Sequence, residues 1–330
     1  MKEILQEVLD KIVPSMEEEK KIKKIVEEIK SKIDKEKPKD ATTMLVGSVA
    51  KGTYLRHSLD IDFFILFPPN YKKEEMANIT ISIGKKILDE SIVQYAEHPY
   101  IRGIYKGYEV DIVPCYKVRS AKEKISAVDR TPFHTKYIMK NLKEEMKNEV
   151  RLLKQFLKGI GCYGAEAKIE GFSGYLTELL ILKYGEFLEV LKASQKWRGK
   201  TILSLDDEGK KFAEEFVFID PVDDSRNVAA ALSREKLEFF KFASKEFLNK
   251  PSIKFFFPNK PPSLSKEKLM RQLKNFIGIC FKKPNIADDI LYPQLKKAAV
   301  NVETLLKPVS YTHLRAHETR HDLVCRLLLE

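Results

Sequence analysis

The spacing of apolar residues near the N-terminus predicts two amphipathic helices. Apolar side chains recur every three or four residues over positions 5–13 and again over positions 22–33, which is the period of one helix face. Ser15 and Glu18 stand three residues apart at the start of the second pattern and predict a capping box. A third helix is predicted over residues 74–89.

Strand patterns follow these first two helices. A hairpin turn is predicted at Lys106 and Gly107. The runs that predict strands lie at positions 43–46, 60–67, 92–97, 100–105 and 109–114. We expect these strands to form a mixed sheet with helices on one side.

The second half of the chain changes its periodicity twice. Between about residues 136 and 250 the apolar spacing is almost entirely helical. Beyond residue 251, strand-like runs at 253–257 and 276–281 flank a helical stretch at 266–274. The domains predicted from these changes cover residues 1–135, 136–250 and 251–308, with a separate tail over 309–330.

Composition narrows the class of protein. A chain of 330 residues with 43% apolar content can bury more than one core. The formal net charge of +11 favours a polyanionic partner. The four cysteines are scattered without CxxC spacing, which argues for reduced intracellular thiols and against a zinc site. No signal peptide or long apolar span appears, so we expect a cytoplasmic protein without a membrane partner.

The strongest chemical signal is a glycine-serine turn followed by two carboxylates. The sequence GSVAKG covers residues 47–52, and its backbone N–H groups and the Ser48 hydroxyl could hold a phosphate. Asp60 and Asp62 then open an apolar strand, where residues two apart project to the same face. Adjacent carboxylates repel, and Mg²⁺ relieves that repulsion. The pattern predicts a metal-dependent nucleotidyl-transfer site.

A third carboxylate completes this predicted metal site. Two-metal chemistry needs ligands for two ions about 3.5–4 Å apart. Asp111 lies between Val110 and Ile112 in the strand predicted at 109–114, where a carboxylate is unusual for a half-buried strand. We therefore expect Asp111 to be a metal ligand at an edge of the sheet.

Four later motifs join these residues. Together they resemble the archaeal, class I CCA-adding enzymes, which are tRNA nucleotidyltransferases of the DNA polymerase β-like superfamily. The resemblance continues in order to about residue 306. The motifs are RTPFH at 130–134, GIGCYGAE at 159–166, GFSGY at 171–175 and DPVDDSRNVA at 220–229.

The resemblance implies a fold and a domain plan. The fold class is α+β, with a polymerase β-like nucleotidyltransferase palm over residues 1–135. An all-helical middle domain over 136–250 would bind the nucleotide base. A small α+β body domain begins at residue 251, and because family chains normally continue further, we expect it to be truncated near residue 308.

The resemblance also implies roles for single residues. Asp60, Asp62 and Asp111 would bind two Mg²⁺ ions and carry the catalysis. On sequence pattern alone, Lys154 is one exposed helix lysine among many, and His134 is a structural histidine. The nucleotide-binding residues implied for the triphosphate are Gly47, Ser48, Lys51, Thr131, His134, Lys154 and Tyr163.

Asp223 and Arg226 belong to the last of the four motifs. Without the resemblance, they indicate only a salt-bridged loop. The family resemblance implies that they contact the Watson–Crick edge of the incoming base, because arginine donates hydrogen bonds and aspartate accepts from an exocyclic amine.

The last 22 residues differ from the rest of the chain. They contain His313, His317 and His321, which are three of the six histidines, and lysine is absent after Lys307. This tail resembles a translated sequencing adaptor, and the alternative is a histidine-rich metal site. Since it carries three basic and three acidic residues, the net charge of +11 belongs to residues 1–308.

The expected function is template-independent addition of CCA to the 3′ end of tRNA from CTP and ATP, with Mg²⁺ as cofactor. The partners are the tRNA acceptor stem and 3′ end, and a homodimer of the full-length protein is one expectation. One alternative is an oligoadenylate-synthetase-like or poly(A)-polymerase-like nucleotidyltransferase. Another is an inactive fragment that binds tRNA or nucleotide.

Overall fold

Two helices form at the N-terminus where the apolar spacing predicts them. Helix α1 spans Lys2–Ile12 and helix α2 spans Met16–Glu36. The predicted capping box at the start of α2 is confirmed, because the Ser15 side chain accepts from the Glu18 backbone N–H while the Glu18 carboxylate accepts from the Ser15 N–H.

The coordinates are a computed structural model. It describes residues 1–95, 97–206, 212–259, 276–284, 286, 288–306, 313–318 and 322–328. The chain divides into two units, of which the first comprises Met1–Ala165 with Ile169–Pro258 and the second Glu166–Lys168 with Asn259–Glu330. Within the described residues, none of the helices combines the length and apolar content needed to span a bilayer.

A five-stranded mixed sheet forms the first half of the first unit. Its spatial order is β1-β2-β5-β4-β3, with β2 and β5 parallel and the other neighbours antiparallel. The predicted strands and the hairpin turn are confirmed, and helix α4 (Lys73–Ile87) packs on the sheet. The strands are β1 (Thr42–Val46), β2 (Asp60–Phe67), β3 (Asp89–Tyr95), β4 (Pro99–Tyr105) and β5 (Tyr108–Tyr116).

The expectation that Asp111 lies at an edge of the sheet is wrong. Strand β5 is the middle strand of the five, with β2 on one side and β4 on the other. Apolar side chains from the sheet, including the fully buried Phe63 and Ile112, pack with the buried isoleucines of α2. This core explains why most of the strand positions are apolar, and it places Asp111 among rigid neighbours.

Helices dominate the remainder of the first unit. A second core joins α1 to these helices through Val8 and Ile12. Helix α5 spans the predicted domain boundary at residues 135 and 136. The short helix α3 (Gly47–Lys51) connects β1 to β2, and the helices that follow the sheet are α5 (Thr131–Asn141), α6 (Met146–Gly159), α7 (Gly174–Tyr184), α8 (Phe187–Ser194) and α9 (Arg234–Asn249).

The middle region is mostly helical, but the expectation of an all-helical domain is wrong, because the region also contains a small sheet. Strand β7 (Phe216–Asp220) lies between β6 (Thr201–Leu203), which is parallel to it, and β8 (Asp223–Asn227), which is antiparallel. The predicted strand at 253–257 is wrong, since Ile253–Phe255 forms a 3₁₀ turn. Short apolar runs do not distinguish a strand from a helical turn by periodicity.

The second unit contains one helix and three strands among its described residues. The predicted strand at 276–281 is confirmed by β9 (Phe276–Lys282). Helix α10 spans Asp288–Leu306, and the strand order is β10 (His313–Glu318), β11 (Asp322–Leu328), β9. The helix predicted at 266–274 lies outside the described residues.

Candidate active site

The parallel pairing of β2 with β5 brings the predicted carboxylates together. Asp62 is directly opposite Asp111, and Asp60 is opposite Glu109. Ile61 points to the other face and is fully buried. Residues in register on neighbouring strands project to the same side of the sheet, so the three predicted acids share one face.

The acids on this shared face perturb one another electrostatically. Burial, together with the charges of Asp111 and Asp60, raises the pKa of Asp62 to about 7. A carboxylate held in this way is destabilised in its charged form, and a nearby cation would reverse the effect.

Arg102 neutralises the third acid. It lies on β4 in register with Asp111, and its Nε and Nη2 donate to the two oxygens of the Asp111 carboxylate, each at 2.7 Å. The side chain of Asp111 is 11% exposed. In the described part of the chain, no three His, Cys, Asp or Glu side chains are arranged to hold a metal ion as they stand. The bidentate contact with Arg102 occupies both oxygens of Asp111.

The glycine-serine turn packs directly against the acids. Gly47 has φ of +70°, and a Cβ atom there would lie 2.0 Å from Oδ2 of Asp62. Only glycine adopts this backbone and leaves this space without strain. The turn opens the short helix α3, so its half-buried Ser48 lies beside the carboxylate strand.

Lys51 and Lys154 converge on a carboxylate that the sequence patterns did not single out. Glu178 of α7 is fully buried. Its Oε2 lies 2.6 Å from Lys51 Nζ, and its Oε1 accepts from the Thr53 hydroxyl at 2.7 Å and from Lys154 Nζ at 3.4 Å. Lys154 also donates to the Thr53 hydroxyl and carbonyl oxygens. It is therefore buried and not the exposed helix lysine that its sequence pattern suggests.

Burial and the ion pairs act in opposite directions on the pKa values of Lys154 and Glu178. Burial lowers the pKa of Lys154 to about 8, although the charge of Glu178 acts in the opposite direction. Burial likewise raises the pKa of Glu178, but Lys51 and Lys154 outweigh it, and the pKa falls below its ordinary value. Glu178 therefore stays ionised as the counter-charge of both lysines.

A second buried carboxylate joins His134 to Arg226. Asp220 ends β7 and is fully buried. Its Oδ2 lies 2.9 Å from His134 Nε2 and 3.0 Å from Arg226 Nη1. The His134 ring also stacks on Tyr175, with ring centroids 4.0 Å apart. Burial lowers the pKa of His134 despite the hydrogen bond to Asp220.

Asp223 and Arg226 do not pair with each other. Both lie on β8, but the Asp223 carboxylate contacts Ser225, Lys124 and Arg130 at 2.6, 2.9 and 3.4 Å. Burial raises the pKa of Asp223, but the hydrogen bonds from Ser225 and Lys124 outweigh it and lower the pKa to about 2. The interpretation of these residues as a salt-bridged loop is wrong in that they form a strand.

Thr131 and Tyr163 complete the set of predicted site residues. Thr131 is half-buried and begins α5, the helix that carries His134. Tyr163 is half-buried after α6 and pairs through its backbone with Phe172, close to the start of α7. Helix α3 contacts β2 and α5, and α5 contacts α7, so packing connects the predicted residues from the carboxylates to Glu178.

Three residues of this site were missed by sequence reasoning: Arg102, Glu178 and Asp220. Glu178 and Asp220 carry the signal of an acid inside or directly after an apolar run, since they stand within Leu176–Ile181 and after Phe216–Ile219. Such acids are rarely buried unless they are paired. Arg102 has no comparable signal, because its role depends on strand register.

Family models match the chain in three consecutive segments. The nucleotidyltransferase domain matches residues 12–134, and the second domain of tRNA nucleotidyltransferase matches residues 148–257. The C-terminal domain of CCA-adding enzyme matches residues 274–330.

Comparison with individual relatives supports these family matches. The chain is 42% identical to the CCA-adding enzyme of Archaeoglobus fulgidus over 334 residues, which cover 100% of this chain and 76% of the relative. The chain belongs to the CCA-adding enzyme family. It is 43% identical to the Pyrococcus abyssi member, over 91% of this chain and 71% of that one. The Methanocaldococcus jannaschii member is 40% identical over 100% of this chain and 78% of its own length.

Solved structures support the nucleotidyltransferase fold of this family member. Cid1 poly(U) polymerase with MgGTP bound superposes with a TM-score of 0.62 at 16% identity, over 78% of this chain and 98% of that one. CdnC of E. coli MS115-1, in its complex with HORMA-deltaN, gives a TM-score of 0.57 at 16% identity, over 77% and 93% of the two chains. These likenesses describe the fold alone.

Proposed function

We propose that this chain adds CCA to the 3′ end of tRNA from CTP and ATP, without a nucleic-acid template, and releases pyrophosphate. The observation that carries the proposal is the register pair of Asp62 and Asp111 beside the turn at Gly47, in a chain about 40% identical to CCA-adding enzymes over its whole length. The proposal concerns the reaction, its substrates and the residues that carry them.

The acids of β2 and β5 fit divalent magnesium. They offer hard oxygen ligands, and their crowding raises the pKa of Asp62, which indicates a site destabilised in the absence of a cation. Bound Mg²⁺ would supply charge stabilisation for the attacking tRNA hydroxyl and the leaving pyrophosphate. Asp60, Asp62 and Asp111 would hold it. Asp111 would then have to share with the metal the oxygens that it now gives to Arg102.

The basic and hydroxyl side chains around the turn would bind the triphosphate. Ser48 and the backbone of Gly47 offer hydrogen bonds at the start of α3, and Lys51 adds a positive charge. Thr131, His134, Lys154 and Tyr163 complete this cradle in the proposal. Because Lys51 and Lys154 are bound to Glu178, triphosphate binding would weaken one or both of these ion pairs.

Arg226 would contact the nucleobase. Its side chain is 30% exposed, and its bond to Asp220 uses Nη1. A guanidinium carries five N–H donors, so others remain for the acceptors of cytosine or adenine. Asp223 is 1% exposed and bound to three polar groups, so its contact with a base would require those bonds to rearrange.

Extension of a tRNA that ends at its discriminator base tests the function. With CTP and ATP, we expect products longer by one, two and three nucleotides that end in CCA, and no extension by D111N. D89N is the matched control, because Asp89 is an exposed acid at the start of β3 in the same sheet.

Two outcomes would contradict the proposal. Full-rate extension by D111N would remove Asp111 from the catalytic set. Addition of a run of A, with no use of CTP on this tRNA, would instead indicate an enzyme that resembles poly(A) polymerase.

A further inference from the structure

The carboxylate of Asp220, which lies outside the proposed metal site, contacts four polar groups. Its Oδ2 contacts His134 and Arg226 at 2.9 and 3.0 Å. Its Oδ1 accepts from the Tyr175 hydroxyl and from the Val222 backbone N–H, both at 3.1 Å. Both oxygens are therefore engaged, and the side chain is fully buried.

These contacts fix the orientation of Asp220. Asp220 and Val222 belong to one tight turn between β7 and β8. The hydrogen bond from the Val222 N–H therefore ties the Asp220 carboxylate to the backbone of this turn. The hydroxyl of Tyr175, on α7, holds the same carboxylate through a hydrogen bond, and the Tyr175 ring stacks on His134. A carboxylate held on both oxygens in a buried setting can act as a rigid anchor for a partly exposed arginine.

We propose that Asp220 is a positioning residue that determines nucleotide selectivity, by fixing Arg226 at the nucleobase and His134 at the triphosphate. The inference rests on the proposed function, because it assigns Arg226 to the base. Asp220 itself is fully buried and acts through the side chains that it holds.

Rejection of the wrong base requires a rigid donor. Cytosine N3 and adenine N1 accept hydrogen bonds, whereas uracil N3 and guanine N1 carry hydrogens. A guanidinium in a fixed orientation directs donors at this edge of the base, so uracil and guanine meet it donor against donor. A free arginine has enough rotamer freedom to turn away, and the penalty against the wrong base would be lost.

His134 connects the same anchor to the triphosphate end of the proposed site. Because one oxygen of Asp220 contacts both His134 and Arg226, a displacement of the carboxylate moves both groups. Asp223 makes no such connection, since its contacts are Ser225, Lys124 and Arg130. Asp220, which sequence reasoning did not select, therefore takes the place expected for Asp223 as the acid paired with Arg226.

The test compares kcat/KM for CTP and UTP on a tRNA that lacks CCA, in wild type, D220N and D224N. The asparagine keeps the shape of Asp220 and removes its charge. We expect the CTP-to-UTP ratio to fall at least tenfold in D220N and to stay unchanged in D224N, where the acid is surface-exposed and pairs with Lys122. A loss of folded protein lowers both rates equally, so the ratio separates positioning from stability.

A double-mutant cycle tests whether Asp220 acts through Arg226. We expect R226A and the double variant D220N/R226A to have the same CTP-to-UTP ratio. A further fall in the double variant, or a wild-type ratio in D220N, would overturn the proposal. If wild type itself fails to add C to this tRNA, the proposed function fails and not this assignment alone.

Y175F provides a second variant in case D220N does not fold. It removes the hydroxyl that donates to Asp220 Oδ1 and keeps the ring that stacks on His134. We expect a smaller fall of the same ratio, about twofold to fivefold, with thermal stability close to wild type. An unchanged ratio in a folded Y175F protein, where D220N is not available, would contradict the proposal.

Discussion

At the level of single residues, buried carboxylates hold the basic side chains of this site in place. Glu178 holds Lys51 and Lys154, and Asp220 holds Arg226 and His134. In each case a fully buried carboxylate faces basic side chains from other elements of the chain. A cation that is already oriented loses less side-chain entropy when it meets an anionic ligand, which favours binding.

Removal of the charge of Glu178 should destabilise the protein. E178Q leaves two ammonium groups without their buried partner, and such a loss typically costs on the order of 3 kcal/mol. We expect the free energy of unfolding, measured by urea denaturation, to fall by about that amount. The control E189Q affects an exposed pair with Lys192 and should change it by less than about 0.5 kcal/mol. An E178Q protein as stable as the control would show that the ion pairs contribute nothing.

The pH dependence of the free energy of unfolding should show that the ionised form of Asp223 stabilises the fold. Its pKa of about 2 is below the ordinary value of 3.8, so its ionised form stabilises the fold above pH 4, and this contribution is lost as the pH falls toward 2. D223N should therefore lower the free energy of unfolding by on the order of 2 kcal/mol at pH 7. The difference from wild type should shrink between pH 4 and pH 2. Urea denaturation across this range measures it, and a difference that stays constant with pH would contradict the assignment.

At the level of secondary structure, strand register assembles the acids. The alternation of β2 alone puts Asp60 and Asp62 on one face, and this part of the site was predictable from sequence. The neighbours of Asp111 were not, because strand order determines them. Strands β3 and β4 come between β2 and β5 along the chain, yet β5 pairs with β2 on one side and with β4 on the other.

The same register predicts a competition between Arg102 and magnesium. R102Q removes the positive charge bound to Asp111, so the acids repel more strongly in the metal-free protein. We expect the free energy of unfolding without metal to fall by on the order of 2 kcal/mol, and the stabilisation by added Mg²⁺ to increase. Thermal unfolding with and without Mg²⁺ measures both effects.

R198Q, at an exposed arginine, is the control for this comparison. It should leave both the metal-free stability and the response to Mg²⁺ unchanged. If Mg²⁺ stabilises R102Q less than wild type, Arg102 would support metal binding and would not compete with it.

Elements with strong periodicity were predictable from the sequence, whereas short ones were not. The helices at the N-terminus and the strands of the large sheet have long apolar patterns. Strand β8 has the sequence DDSRN, which indicates a polar loop, and it forms a strand only because β7 pairs with it. The run at 253–257 has the apolar content of a strand and the structure of a helical turn. Local pattern did not contain this information.

At the level of the first unit, α1 belongs to the core of the helical region. Val8 and Ile12 pack in the same cluster as Trp197 and Phe156, although they precede the carboxylate sheet in the chain. The predicted boundary between residues 135 and 136 marks the change from mixed to helical sequence patterns. It does not separate the two hydrophobic cores, because α1 lies before it and packs in the helical core. The helix α5 crosses that boundary without a break.

Truncation of Ile12 should therefore destabilise the whole first unit. Ile12 is 3% exposed, and I12A should lower the free energy of unfolding by about 2–5 kcal/mol. Trp197 is the only tryptophan, so its fluorescence reports the helical core, while circular dichroism reports all elements. We expect both transitions to shift together. The control I125A removes an isoleucine that is 47% exposed. A fluorescence transition that does not move in I12A would place α1 outside this core.

The parallel contact between β2 and β5 also constrains how a newly synthesised chain acquires its chemistry. A parallel pair cannot form as a hairpin, so Asp111 reaches Asp62 only after the intervening α4, β3 and β4 have been synthesised. Such non-local pairing forms slowly, because the loop must close before the contact contributes. A ribosome-bound chain that has not yet exposed β5 therefore presents only two of the three acids of the proposed metal site.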